Sequence, residues 1–271
     1  MIKTILALVE EAKRAEAFIA SVATLARQLQ AHVVFDIVTA APLISPRLAP
    51  FGTLNPVPGE RRQIRGEQER ALRPLIPDDI SSEVMSQIDD VDRVPTDVRE
   101  ATPLADLIMI APPEDWEIEW LRRHVIETLL LSSGTALMLL PAGRAVRRVD
   151  HAVLGWRPDA HTVRALHELV ALAEPGARID VTYVKRDVAD QPDVPLGRVA
   201  AMLARHGFGV ETYMLKRGER VSERLSAFTL EQGADLLAVG GYGHTRAREL
   251  VLGGVTRQLV LEPRLPILMV H

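Results

Sequence analysis

The stretch Gly233-Ala-Asp-Leu-Leu-Ala-Val-Gly-Gly-Tyr-Gly-His-Thr-Arg-Ala-Arg-Glu-Leu-Val-Leu-Gly-Gly-Val-Thr256 decides how this chain is read. Leu236 to Val239 is an apolar run of strand length, and Gly240, Gly241 and Gly243 follow it at once. After nine intervening residues come Gly253 and Gly254, ahead of a short helix. Glycine at a strand end lets backbone approach a ligand closely, and successive amides there can converge on an anion. The amides after Gly253, with Val255 among them, would point outward from a helix start, where the dipole also favours negative charge. Together they describe two backbone walls around a phosphate. Glycines of this kind also serve tight turns; the strand in front and the helix behind favour the ligand, as does the position beyond the carboxyl end of a strand in an open α/β sheet.

Working outward, the chain is an alternation of strands and helices. Upstream of the loop, Val221 to Glu231 is helical, Val210 to Leu215 a strand, Leu196 to Leu203 helical and Arg178 to Val184 a strand. Before these, Ala152 to Trp156 is a short apolar strand. Pro158-Asp159 then opens a helix carrying Val163, Leu166, Leu169, Val170 and Leu172, with Asp159 suited to its cap. Pro266 to Val270 closes the chain. The same order stands earlier: strand Thr4 to Val9, helix Ala12 to Leu29, strand His32 to Val38, then a loop from Ala40 to Gly59 with five prolines and two glycines. A polar helix from about Glu60 to Leu72, a weak strand Ser82 to Ile88 and a buried strand Ala105 to Ile110 follow. A helix carrying Trp116, Trp120, Leu121, Val125 and Leu129 and a last strand Ala136 to Leu140 complete this half. Each strand, helix, strand unit implies a right-handed parallel crossover. Matching elements stand roughly 130 to 150 residues apart, which points to a duplication. The expected domains are residues 1–143 and 150–271, divided within Gly143 to Asp150.

Apolar residues make up 47% of the 271, yet aromatics only 4%, so the core must be built of Leu, Val, Ile and Ala, as in layered α/β proteins. The net charge of −4 is spread along the chain, which argues against nucleic acid or an anionic membrane as main partner. There is no cysteine, hence no disulfide framework and no thiolate metal site. The apolar run within Met1 to Val9 is too short for a signal-peptide core, and runs such as Ala136 to Leu140 fall far short of the roughly 20 residues of a membrane helix. The expectation is a soluble, cytoplasmic protein. The eight histidines show no pair at metal-ligand spacing backed by carboxylates, so no metal is expected. No Gly-Lys-Ser or Gly-Lys-Thr follows the glycine loop and no nucleophile elbow is present. Catalysis is left open, with weak ATP hydrolysis as its upper bound.

The spacing of Gly240, Gly243 and Gly253 resembles the nucleotide loop of the universal stress proteins. Gly233-Ala-Asp-Leu-Leu-Ala-Val-Gly240 is similar to the strand that precedes that loop, and Pro266-Ile-Leu-Met-Val-His271 to the family's last strand. Gly241-Tyr-Gly-His-Thr-Arg-Ala-Arg-Glu-Leu-Val-Leu-Gly-Gly-Val-Thr-Arg257 is similar to a tandem-domain bacterial branch of the family. The resemblance implies two Rossmann-like (HUP-type) domains, each a five-stranded, mostly parallel sheet with helices on both faces. It also implies ATP or a related nucleotide as ligand, with Gly240, Gly243, Gly253 and Gly254 facing ribose and phosphates. His244 can donate to a phosphate or lie in solvent, and Arg246 can neutralise one or lie on an exposed helix face. Two departures bear on the ligand. Gly254 stands where the family's ATP binders place Ser or Thr, and Arg157 where an Asp ends the first strand. Guanidinium is donor-only and cannot accept from ribose hydroxyls. Arg157 can instead pair with phosphate, stack on a base or turn to solvent. Trp156 is a core or interface aromatic or an adenine platform; with Arg157 and Val184 it is assigned to the ribose and base side.

The first half departs further. After Ala105 to Ile110 it reads Ala111-Pro-Pro-Glu-Asp-Trp-Glu117, without glycine. Proline has no amide hydrogen, and three acids repel phosphate. Ser132-Ser-Gly134 keeps a trace of the family's second glycine turn, and Glu10 stands at the first-strand Asp position. This half has the fold without an evident phosphate site. Ala136 to Leu140 and Pro266 to Val270 would lie at sheet edges, where apolar strands tend to be paired; the resemblance implies that they pair with each other, and a further homo-oligomer is open. The readings carried forward are a tandem universal stress protein binding a nucleotide in its second domain, a ligand-free interaction module, and, from fold analogy alone, a transferase or slow phosphatase.

Overall fold

Strands rich in Val, Ile and Leu along their whole length, with no polar alternation, are those of a parallel sheet covered on both faces. In the computed structural model, which describes residues 1–10, 12–41, 58–90, 93–101, 104–146, 148–185, 187, 190–216, 218, 220–241 and 254–271, such strands form the middle of one ten-stranded sheet. The first half contributes β1 (Thr4–Val9), β2 (His32–Ala41), β3 (Ser82–Asp90), β4 (Leu107–Ile110) and β5 (Ala136–Leu139). The second contributes β6 (His151–Gly155), β7 (Arg178–Val184), β8 (Gly209–Leu215), β9 (Leu236–Gly240) and β10 (Ile267–Val270). Their order is β3-β2-β1-β4-β5-β10-β9-β6-β7-β8, which is the same sequence of roles read inward from either edge. Every pairing is parallel except β5 with β10, where Leu139, Met138 and Leu137 face Ile267, Leu268 and Met269 antiparallel. Those six side chains are fully buried, so two apolar edges close on each other. The outermost strand β8 is largely exposed.

The crossovers are α1 (Glu16–Leu29), α2 (Pro58–Leu72), α3 (Val94–Ala101) and α4 (Glu119–Ser132) in the first half. In the second they are α5 (Ala160–Leu172), α6 (Leu196–Arg205), α7 (Val221–Glu231) and α8 (Gly254–Leu261). Most of the loop expected over Ala40 to Gly59 lies outside the described residues. The helix expected from Ala12 is broken: a 3₁₀ turn, Ala12–Arg14, precedes α1. Trp116, expected on the fourth helix, lies before it in extended conformation, because Pro113–Asp115 forms a separate 3₁₀ turn. Asp159 caps α5, its Oδ1 accepting the Thr162 amide at 2.8 Å.

Two arginines flank the β5–β10 seam. Arg122 on α4 is buried and donates to the carbonyl of Ala111 at 3.1 Å and to that of Val260, in the last turn of α8, at 2.8 Å. Burial pulls its guanidinium down to about 10. Arg164 on α5 reaches the opposite way, to the carbonyl of Gly134 at 2.7 Å. Away from the seam, β2 carries the fully buried Asp36, whose Oδ2 accepts from Gln87 Nε2 at 2.6 Å while Oδ1 has no partner among the described residues.

Candidate functional site

From β6 the chain crosses to β7 on one side, while β9 pairs with β6 on the other. Such a reversal leaves a crevice at the carboxyl ends of the strands, where ligands of open α/β sheets bind. A cavity of about 130 Å³ lies there. Gly155, Trp156 and Arg157 bound it at the end of β6, Asp159 and Thr162 at the start of α5, and Thr182 to Val184 on β7. Val221 and Leu225 of α7, Val239 and Gly240 of β9, and Val255 and Thr256 of α8 close it. A second, wider groove of about 650 Å³ shares Arg157, Val221 and Val255 with the cavity and adds Arg220, Gly254, Arg257 and Gln258.

The structure brings Trp156, Arg157, Val184, Gly240 and Val255 to one cavity, and Gly254 to the groove beside it. Gly243, His244, Arg246 and Gly253 lie outside the described residues. Gly240 is glycine for a reason not visible in its spacing: a Cβ there would lie 2.6 Å from the amide nitrogen of Thr162 and 2.9 Å from the carbonyl carbon of His161. The first turn of α5 packs directly on the end of β9. The Gly241 amide donates to the carbonyl of Val270 at 2.6 Å, continuing the β9–β10 pairing, so it is committed to the sheet. At Gly254, which opens α8, no atom of the other described residues beyond its own turn lies within 4 Å of a Cβ position.

Polar groups in the cavity divide into engaged and open ones. Thr182 Oγ1 donates to the Leu154 carbonyl at 3.1 Å, and the Tyr183 hydroxyl to Asp190 Oδ1 at 3.1 Å. Trp156 is 6% exposed; its backbone amide donates to the Thr182 carbonyl at 2.7 Å, but its indole N–H has no partner among the described residues. Arg157 is exposed at the rim, between cavity and groove. Asp159, Thr162 and Leu225 were not foreseen as cavity residues, nor Arg220 and Arg257 as groove residues. Asp159 was legible as a cap, and its place four residues past the end of β6 was the available signal. Among the described residues, no group of three or more His, Cys, Asp or Glu is placed to hold a metal. No helix among them is long and apolar enough to cross a membrane.

The first half answers the same geometry differently. Glu10, at the end of β1, is buried, and its Oε2 accepts the amides of Glu117 at 2.6 Å and Ile118 at 3.1 Å, just ahead of α4. A helix start is an anion site; here the chain's own carboxylate occupies it.

A doubly wound α/β protein, duplicated within one chain and keeping a ligand-sized cavity at one switch point, is the class these features define. No family model matches the chain. The universal stress protein Slr1230 of Synechocystis sp. (strain ATCC 27184 / PCC 6803 / Kazusa) is 31% identical over 88 residues, which are 32% of this chain and 30% of the relative. The chain thus matches under a third of the length of that curated relative. Among solved structures, a universal stress protein from Archaeoglobus fulgidus DSM 4304 superimposes with a TM-score of 0.69 at 12% identity, covering 98% of this chain and 97% of that one. A putative universal stress protein from Pseudomonas aeruginosa UCBPP-PA14 gives 0.56 at 11% identity, covering 99% and 93%. In fold over nearly its whole length, and in sequence over 88 residues, the chain is similar to universal stress proteins.

Proposed function

We propose that the second half binds a nucleotide of the ATP type, and that the bound nucleotide biases the conformation or assembly of the chain in a cytoplasmic stress response. The observation that carries this is the continuity of cavity and groove at the switch point. The cavity, apolar on most sides, is of the size that accepts a single planar ring, since an engineered cavity of about 150 Å³ takes benzene. The groove leads from it to the start of α8, where the amides of Gly254 and Val255 and the cations Arg157, Arg220 and Arg257 suit phosphates. The base and ribose belong in the first and the phosphates in the second. Gly243, His244, Arg246 and Gly253 join the phosphate side by their place in the glycine loop.

The test is thermal unfolding with nucleotide. A ligand at 100 times its dissociation constant stabilises the native state by about 2.7 kcal/mol, which is about 5–10 °C in Tm for a chain of this size. No rise with millimolar ATP or ADP removes the proposal. A second reading, association without ligand, draws on the first half, where Glu10 fills the equivalent helix start. It predicts indifference to every nucleotide.

A further inference from the structure

We infer that β8 is a dimerisation edge: two copies of the chain join their sheets through it, antiparallel, about a two-fold axis at Thr212. This goes beyond the nucleotide reading and does not depend on it.

The sheet ends at β3 on one side and at β8 on the other. Along a strand, residues whose N–H and C=O face one neighbour alternate with residues whose groups face away. The Gly209 amide donates to the Ala177 carbonyl at 3.0 Å, and the Leu215 carbonyl accepts from the Lys185 amide at 2.9 Å. Gly209, Glu211, Tyr213 and Leu215 are therefore the residues that bond β7. The backbone groups of Val210, Thr212 and Met214 point out of the sheet, where no described strand pairs with them. Such an edge is a template for another strand.

This edge is complementary to itself. In an antiparallel pair, opposite residues alternate between those that exchange both hydrogen bonds and those that exchange none. With Thr212 on the axis, it stands opposite Thr212 of the partner subunit, and Val210 stands opposite Met214 of the partner subunit. All of these point outward, so every such pair makes both of its bonds. Their side chains share one face of the sheet, where Thr212 and the 39% exposed Met214 are open to solvent. Pairing sets Val against Met and Thr against Thr, which stabilises a sheet. On the other face Glu211 comes opposite Tyr213 of the partner subunit, an acceptor facing the kind of hydroxyl that already donates to Glu211 within one chain. Arg178 stands 3.3 Å from Glu211, so each of the two acids near the axis brings its own counter-charge.

β3 lacks this match. The Val33 amide donates to the Ser81 carbonyl at 2.9 Å, which turns Ser82, Val84, Ser86, Ile88 and Asp90 outward. Paired with itself about its middle residue, Ser86, it would set Glu83 against Asp89 of the partner subunit, and like charges directly opposite destabilise a pair. Charges on an edge strand keep it from pairing.

The test is sedimentation of the full chain from about 1 to 200 µM, because strands of seven residues bury less than the roughly 1,200 Å² of a standard interface. The wild-type chain should be a closed dimer at the high end. Thr212→Pro removes an outward N–H and leaves every bond to β7 in place; Met214→Lys puts a charge on the edge. Each should raise the dimer dissociation constant about tenfold or more while circular dichroism stays that of the wild type, and Met214→Lys carries the test if the proline variant folds poorly. The chain has no cysteine, so Thr212→Cys carries a unique thiol. Opposed residues of this kind stand about 5.5 Å apart between Cα atoms, within disulfide range. Mild oxidation should link Thr212→Cys into a covalent dimer and leave Ser82→Cys, on β3, unlinked. A chain that stays monomeric throughout overturns the inference. So does a dimer that the folded variants retain undiminished, or cross-linking through Ser82→Cys as fast as through Thr212→Cys. Growth past the dimer overturns it as well, since β8 joined to β3 is a head-to-tail contact that need not close.

Discussion

Asp36 offers a quantitative check on the packing of the first half. Burial drives its carboxyl up from 3.8 to about 7, against the hydrogen bond from Gln87 and the charge of Arg65, which both pull it down. A folded value above the unfolded one means that the native state holds a proton that the unfolded chain releases between about pH 4 and 7. Stability therefore falls as pH rises through that window, and the penalty is complete above about pH 7. At about 1.4 kcal/mol per pH unit, a rise from 3.8 to about 7 corresponds to on the order of 4 kcal/mol. Asp36→Asn removes the charge and keeps the shape. The replacement amide must still be accommodated beside Oδ1, which already lacks a partner among the described residues, so part of the gain is returned. The variant should exceed wild type by about 2–4 kcal/mol at pH 8, with the gap closing toward pH 5. Urea unfolding of both proteins at pH 5, 6, 7 and 8 measures this, because the other titrating groups cancel in the difference. A gap that is flat with pH, or that narrows as pH rises, refutes the reasoning.

Gly240→Ala should lower stability by about 1–3 kcal/mol, or several degrees in Tm, because the new Cβ meets the backbone of the first turn of α5; an unchanged melting curve would show that α5 yields at no cost. Arg122→Ala, which leaves the Ala111 and Val260 carbonyls without their donor and opens a cavity at the seam, should cost about 2–4 kcal/mol in urea unfolding. Arg122→Met should recover part of that by refilling the space, and equal loss in the two variants would assign the whole effect to the hydrogen bonds.

Much of the fold was legible because buried parallel strands announce themselves as apolar runs. Leu107 to Ile110 and Ile267 to Val270 need no tertiary knowledge to be read as strands, and their recurrence in both halves gives the repeat. Boundaries set by distant contacts were not legible. The start of α4 depends on two amides held by Glu10, more than a hundred residues away, and Trp116 carries no mark of lying outside the helix. The short helix α3 (Val94–Ala101) follows a polar stretch with little apolar period and was not anticipated.

The site was legible in part for a similar reason. Parallel strands of one half end at the same edge, so Trp156, Val184 and Gly240 could be expected together from strand assignments alone. What each contributes could not. The glycine at 240 reads as an approach for phosphate, yet the structure shows it bearing the weight of α5. Arg220 and Arg257 have no local feature that separates a groove arginine from any solvated one. Asp159 is a cap in sequence and a cavity wall only in three dimensions.

The antiparallel seam between β5 and β10 has an evolutionary consequence. When such a seam joins two identical chains, any substitution is made twice, once in each site, and the two pockets must change in step. Here a covalent link holds the halves together at an effective concentration that does not depend on how much protein is present. Each half can then drift alone, so a carboxylate could close one pocket at Glu10 while the other stayed open around Asp159. Fusion turns a symmetric pair into a division of labour.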